Sequence, residues 1–206
     1  MKSRTIFPIF FVALFFHSLS FAGAPMQIAG IRLGAPINEY KDLIKEETTL
    51  PIRHMEYISE VEMKPLEGYK SGYIFYGNCS KPGKIVKVKL KYLRDDREFF
   101  NDLLDIFKKK FGKATEFKGD PFGGLIAWKW SFIDEEKNRI SLILQHSSVD
   151  EEEYTSGNSI KMAITSAIEK ERECYKAKHP EEKTGERVGS KDKLKDIKDL
   201  DKFIPQ

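Results

Sequence analysis

Chemistry-bearing residues are scarce in this chain, which carries four histidines and two cysteines among its 206 residues. No CxxC or HExxH pairing occurs, and His54, His146 and His179 are too dispersed to suggest a metal site. The GxSxG elbow of serine hydrolases is missing, as are the GxxxxGK(S/T) and GxGxxG phosphate-binding patterns. The glycine-rich stretch from Lys118 to Gly124 leads into a strand-like run, so it lacks the helix N-terminus that cradles phosphate. No metal and no cofactor is implied. Cys79 beside His54 or His146 is the combination best suited to nucleophilic catalysis, and a disulfide would remove it. A small hydrolase with scattered residues, Asp120 among them, stands as the alternative to a non-catalytic role.

Charge of one sign is also lacking. Lys and Arg number 35 against 32 Asp and Glu, and two of the positive charges, Lys2 and Arg4, fall in a leader expected to be removed. The remainder is nearly neutral, whereas a general nucleic-acid binder needs a concentrated positive excess, so no nucleic-acid partner is expected.

Long hydrophobic runs are limited to Ile6–Phe16, which directly follows that positive pair. Ser20-Phe21-Ala22 then places small residues at the two positions that signal peptidase reads, and cleavage is expected after Ala22. Pro8 and His17 interrupt the apolar stretch, leaving it short of the ~20 residues that a membrane helix needs. No cysteine follows it to carry a lipid. The processed protein has about 180 residues, enough for one domain with a sizeable core. It is expected in the periplasm or outside the cell, with no stable membrane span. In that oxidising setting an even cysteine count favours a bridge between Cys79 and Cys174. Such a bridge closes a loop of about 95 residues, worth roughly 4 to 5 kcal/mol by chain entropy.

Periodicity supplies the elements. Ile37, Tyr40, Leu43 and Ile44 predict a short helix over residues 36–45, with Pro36 at its first position. Alternation predicts strands over residues 57–63, 71–76 and 84–92; in the last, Val86, Val88, Leu90 and Tyr92 oppose Lys87, Lys89 and Lys91. The turns between them are too short for parallel crossovers. Phe99, Phe100, Leu103, Leu104, Phe107 and Phe111 predict a helix over 96–111, stopped by Gly112. A second hairpin follows, with Trp128, Trp130 and Phe132 on one strand and Ile140, Leu142, Leu144 and His146 on the other. Ile160, Ala163, Ile164, Ala167 and Ile168 predict a last helix over 158–175, capped by Ser156 or Asn158. From residue 177 to 206 the chain turns densely charged with few apolar residues, the composition of a disordered tail.

The expected organisation is a leader over residues 1–22, one domain over 23–176 and the tail. The expected fold is α+β: a single antiparallel sheet of about five strands in hairpins, helices packed on one face, in the order α-β-β-β-α-β-β-α. Within it, Gly30 to Ile44 (GIRLGAPINEYKDLI) is similar to the opening of the SmpA/OmlA outer-membrane assembly lipoproteins, where a glycine-bounded strand end precedes a short helix. The similarity covers about fifteen residues, the lipidated cysteine of that family is missing, and no function or residue is transferred.

Two surfaces emerge as candidates. Lys87, Lys89 and Lys91 form either the wet face of a sheet, partly neutralised by Glu60 and Glu62, or a surface for an anion or an acidic partner. Trp128 and Trp130, with Phe132, Tyr73 and Phe75, form either core or an aromatic groove. With no catalytic motif, the expected role is a non-catalytic binding or accessory module of the cell envelope, its partner an envelope protein or ligand.

Overall fold

Alternation of lysines with apolar residues from Lys87 to Tyr92 marks the strand Ile85–Tyr92, and neighbours on both sides make it a central strand. A register shift at its start turns Val86 to the lysine side with Phe75. A computed structural model describes residues 23–121, 123–148 and 156–180. The expected leader and the tail beyond Pro180 lie outside the described residues. In chain order the strands are β1 (Gln27–Ile28), β2 (Ile31–Arg32), β3 (Leu50–Ile52), β4 (Met55–Glu62), β5 (Tyr69–Gly77) and β6 (Ile85–Tyr92). After helix α1 (Arg97–Phe111) come β7 (Glu116–Gly119), β8 (Leu125–Ile133), β9 (Arg139–Ser147) and β10 (Gly157–Ile164), and then helix α2 (Thr165–Lys178). β1 and β2 form a separate ribbon. The other eight run β3-β4-β5-β6-β10-β9-β8-β7, every pairing antiparallel. Two four-stranded meanders therefore meet where β6 pairs with β10.

This architecture overturns the expected five-stranded sheet with helices on one face. Residues 158–175, expected as one helix, divide at Ile164 into the central strand β10 and the helix α2. The helical spacing is an accident of the junction: Ile160, Met162 and Ile164 alternate and are buried, and only Ala167 and Ile168 belong to the helix. A short run in mid-sheet cannot be told from a helix by period alone. Asn158 does not cap a helix; it is a buried strand residue whose Nδ2 donates to the carbonyls of Arg94 and Asp96 at 3.1 and 2.8 Å, pinning the start of α1. Residues 36–45 form no regular α-helix either, because Ile37–Leu43 is 3-10 and broken at Tyr40. The short strands β3, with Pro51, and β7, with Glu116 and Lys118, close the two edges, where proline and charge discourage further pairing.

One face of the sheet holds the main core. Val88, Leu90, Ile160, Met162, Leu142, Leu144 and Trp130 join a single apolar cluster with Phe100 and Leu104 of α1 and with Ile31, Leu33 and Ile44 of the N-terminal segment. The helix starts at Asp96, whose carboxylate accepts from Phe99 N–H at 2.9 Å, and it ends at Gly112, whose φ of 75° suits glycine. The opposite face carries a smaller cluster, Ile58, Phe75 and Val86, with Ile168 of α2 packed against it. The helices therefore serve opposite sides of the sheet.

α2 is fastened to the β5–β6 loop by polar means. Cys79 and Cys174 stand at disulfide distance, Sγ to Sγ 2.08 Å and Cα to Cα 5.8 Å. One turn earlier, the buried Glu171 carboxylate accepts from the backbone N–H groups of Cys79, Ser80 and Lys81 at 2.7, 2.9 and 2.7 Å. Successive N–H groups in a turn form an anion-binding concavity, here filled by the protein itself. Gly77 makes room for it, since a Cβ at that position would lie 2.4 Å from the carboxylate carbon.

Candidate functional site: a lysine-bearing sheet face

The alternation that buries Val88 and Leu90 sends Lys87, Lys89 and Lys91 to the other face, and the register supplies their neighbours. Across the sheet Glu60, Phe75, Lys87, Ala163 and Ser141 stand in one row. The next row is Glu62, Tyr73, Lys89, Lys161 and Ile143. The third is Ser71, Lys91, Ser159, Gln145 and Ala127. Lys161, Gln145 and Ser159 have no place in the sequence reading of this face, because β10 reads there as helix and the pairing of β6 with β10 spans two distant segments. The alternation of Ser159, Lys161 and Ala163 against Ile160 and Met162 is the signal that marks them.

Like charges meet on this face. Lys89 and Lys161 are directly opposed, a cross-strand arrangement that repels. Glu62, expected to neutralise the row, is engaged by Lys45 at 2.7 Å. Among the described residues, no carboxylate reaches ion-pair distance of Lys87, Lys89 or Lys91. Lys87 instead rests its ammonium 3.6 Å from the centre of the Phe75 ring. Burial, and then the positive charges of Lys161 and Lys89, lower its pKa to about 8 against a smaller opposing pull from Glu60. Burial also lowers that of Lys89, with Glu60 pulling it back and Lys91 adding to the depression.

Between the lysines lie two buried polar side chains. Gln145 and Ser159 are each 1% exposed. Lys161 Nζ donates to Gln145 Oε1 at 3.2 Å, which fixes the amide orientation because an ammonium has no acceptor. Gln145 Nε2 and Ser159 Oγ have no hydrogen-bond partner among the described residues. An unmade hydrogen bond on a buried group costs about 1–3 kcal/mol, so each calls for a reason.

The remaining expected residues lie elsewhere. Trp130 is 1% exposed beneath α1, its Nε1 donating to Gly112 O at 2.9 Å and its ring 5.7 Å from that of Phe107. Trp128 is half-buried on the same face, 4.7 Å from the Phe117 ring with Lys108 over it. Tyr73 and Phe75 belong to the lysine face, so the five aromatics are not brought into one groove. His146 meets Asn158 Oδ1 at 2.8 Å and the Phe100 ring, His54 sits exposed in the β3–β4 turn, and the Asp120 carboxylate accepts from Leu125 N–H. With its sulfur at bonding distance of Cys174, Cys79 presents no thiol to either histidine. An open cleft of about 460 Å³, where the N-terminal segment meets α2, mixes Arg32, Lys84 and Lys170 with Glu39, Asp134 and Glu136. No family model, curated protein or solved structure matches the chain, so the similarity at Gly30–Ile44 gains no extension.

Proposed function

We propose that the protein is an exported, non-catalytic binding module of the cell envelope and that the lysine face of its sheet meets an anionic partner. The observation that carries this reading is Lys89 opposite Lys161 at the junction of the two meanders. Alternating lysines commonly keep edge strands from pairing, but β6 and β10 are interior strands, where that need does not arise. Like charges set side by side repel, and an anion bound across Lys89 and its row offsets that repulsion. Export is supported by the cysteine pair at disulfide distance. No helix of the described residues is long and apolar enough to cross a membrane. Removal of residues 1–22 and a periplasmic location complete the proposal.

Two measurements test it. Fractionated cells are expected to release protein beginning at Gly23, and material still beginning at Met1 in the membrane pellet overturns export. Immobilised processed protein is expected to retain an anionic envelope component that elutes as salt rises, since screening shortens the reach of charge. The Lys89→Glu/Lys91→Glu variant is expected to lose it. Retention indifferent to both salt and charge reversal removes the assignment.

A further inference from the structure

Taking the lysine face as the binding surface, we infer that its centre is a site for a phosphate group, with Lys89 and Lys91 as cations and Gln145 Nε2 and Ser159 Oγ as neutral donors. Lys91, Ser159 and Gln145 stand abreast on β6, β10 and β9. Strands lie about 4.8 Å apart, so these three positions cover roughly 10 Å, a span that a lysine stem can lean across. The two short donors are buried and unpaired, which separates this place from an ordinary charged surface, where polar groups are hydrated.

The donor set selects the ligand class. Two lysines, an amide and a hydroxyl occupy neighbouring positions on three strands, and Lys161 beside them donates to the amide oxygen. A phosphate monoester carries about −1.5 to −2 charge at neutral pH and three strong acceptor oxygens pointing in different directions, which answers that set. A carboxylate offers a single charge and two oxygens in one plane, a poorer match to two ammoniums. The serine hydroxyl also accepts, so the singly protonated phosphate can donate to it.

Calorimetric titration of the processed protein with inorganic phosphate and with glycerol 3-phosphate tests the site. Saturable binding is expected, weakened about tenfold or more in Ser159→Ala and in Gln145→Glu. The Gln145→Glu variant keeps an acceptor for Lys161, and Ser159→Ala deletes a hydroxyl that has no partner, so both are expected to fold with thermal midpoints near the parent's. Co-sedimentation with phosphatidate vesicles, but not with phosphatidylglycerol vesicles, identifies a lipid headgroup as the source; binding of the soluble compounds alone identifies a small solute. Equal pelleting with both lipids shows attraction by charge alone and overturns the inference, as does phosphate binding unchanged in both variants. Absence of phosphate and vesicle binding while salt-sensitive retention of an envelope component persists sinks the phosphate site and leaves the binding face standing.

Discussion

Val88 and Leu90 of β6, with Ile160 and Met162 of β10, meet a helix on one side of the sheet, whereas Lys87, Lys89, Lys91 and Lys161 of the same strands stand on the other. The helices differ in the same way. α1 buries Phe100 and Leu104 in the main core, while Glu171 is the buried residue of α2, held by three N–H groups beside a cysteine pair. One side is held by the larger apolar cluster, the other by a small one together with specific polar ties. The apolar contribution is therefore larger on the first side, and the second also carries the like-charged pair of Lys89 and Lys161.

The largest effect is expected where burial rules. Trp130→Ala removes an indole beneath α1 and should cost about 3–5 kcal/mol in urea unfolding. Lys89→Leu, on the opposite face of the sheet, should leave stability unchanged or raise it. Equal losses would erase the distinction between the faces. Next comes the polar clasp: replacing both Cys79 and Cys174 by serine should cost about 2–4 kcal/mol. Hydrogen exchange should show the loosening concentrated in α2 and the β5–β6 loop, with α1 still protected.

The smallest and most diagnostic effect is in pH. Lys87 titrates near 8 in the folded protein and near its ordinary 10.5 when unfolded. Below 8 both states hold the proton and the cost of burying the charge is fully present. Between about 8 and 10.5 the unfolded chain holds more protons, so stability rises with pH. Over the same interval loss of the ammonium weakens anion binding. Unfolding midpoints and phosphate affinity measured from pH 7 to 10 should move in opposite senses, and Lys87→Met should flatten the stability trend. The groups facing Lys87 are Lys161, Lys89 and Glu60, so parallel trends would assign the titration elsewhere.

Local signals in the chain made part of this legible. The Val–Lys alternation marks β6, and Asp96 with Gly112 bounds α1, because caps and periods are written within a few residues. The lysine row was legible for the same reason. Pairing of β6 with β10 was not, since Lys89 and Lys161 are joined by register between segments some seventy positions apart. β10 was hidden by a chance helical period across its junction with α2, and β3 and β7 by being too short to establish any period. Glu171 gave no signal because its partners are backbone N–H groups, which every residue but proline carries.

The Glu171 clasp also bears on the order in which the molecule is assembled. A carboxylate gripping the turn at Cys79 from one helical turn before Cys174 aligns the two thiols while they are still reduced. Oxidation then seals a joint that is already closed, and a chain that loses the crosslink keeps the template for making it again.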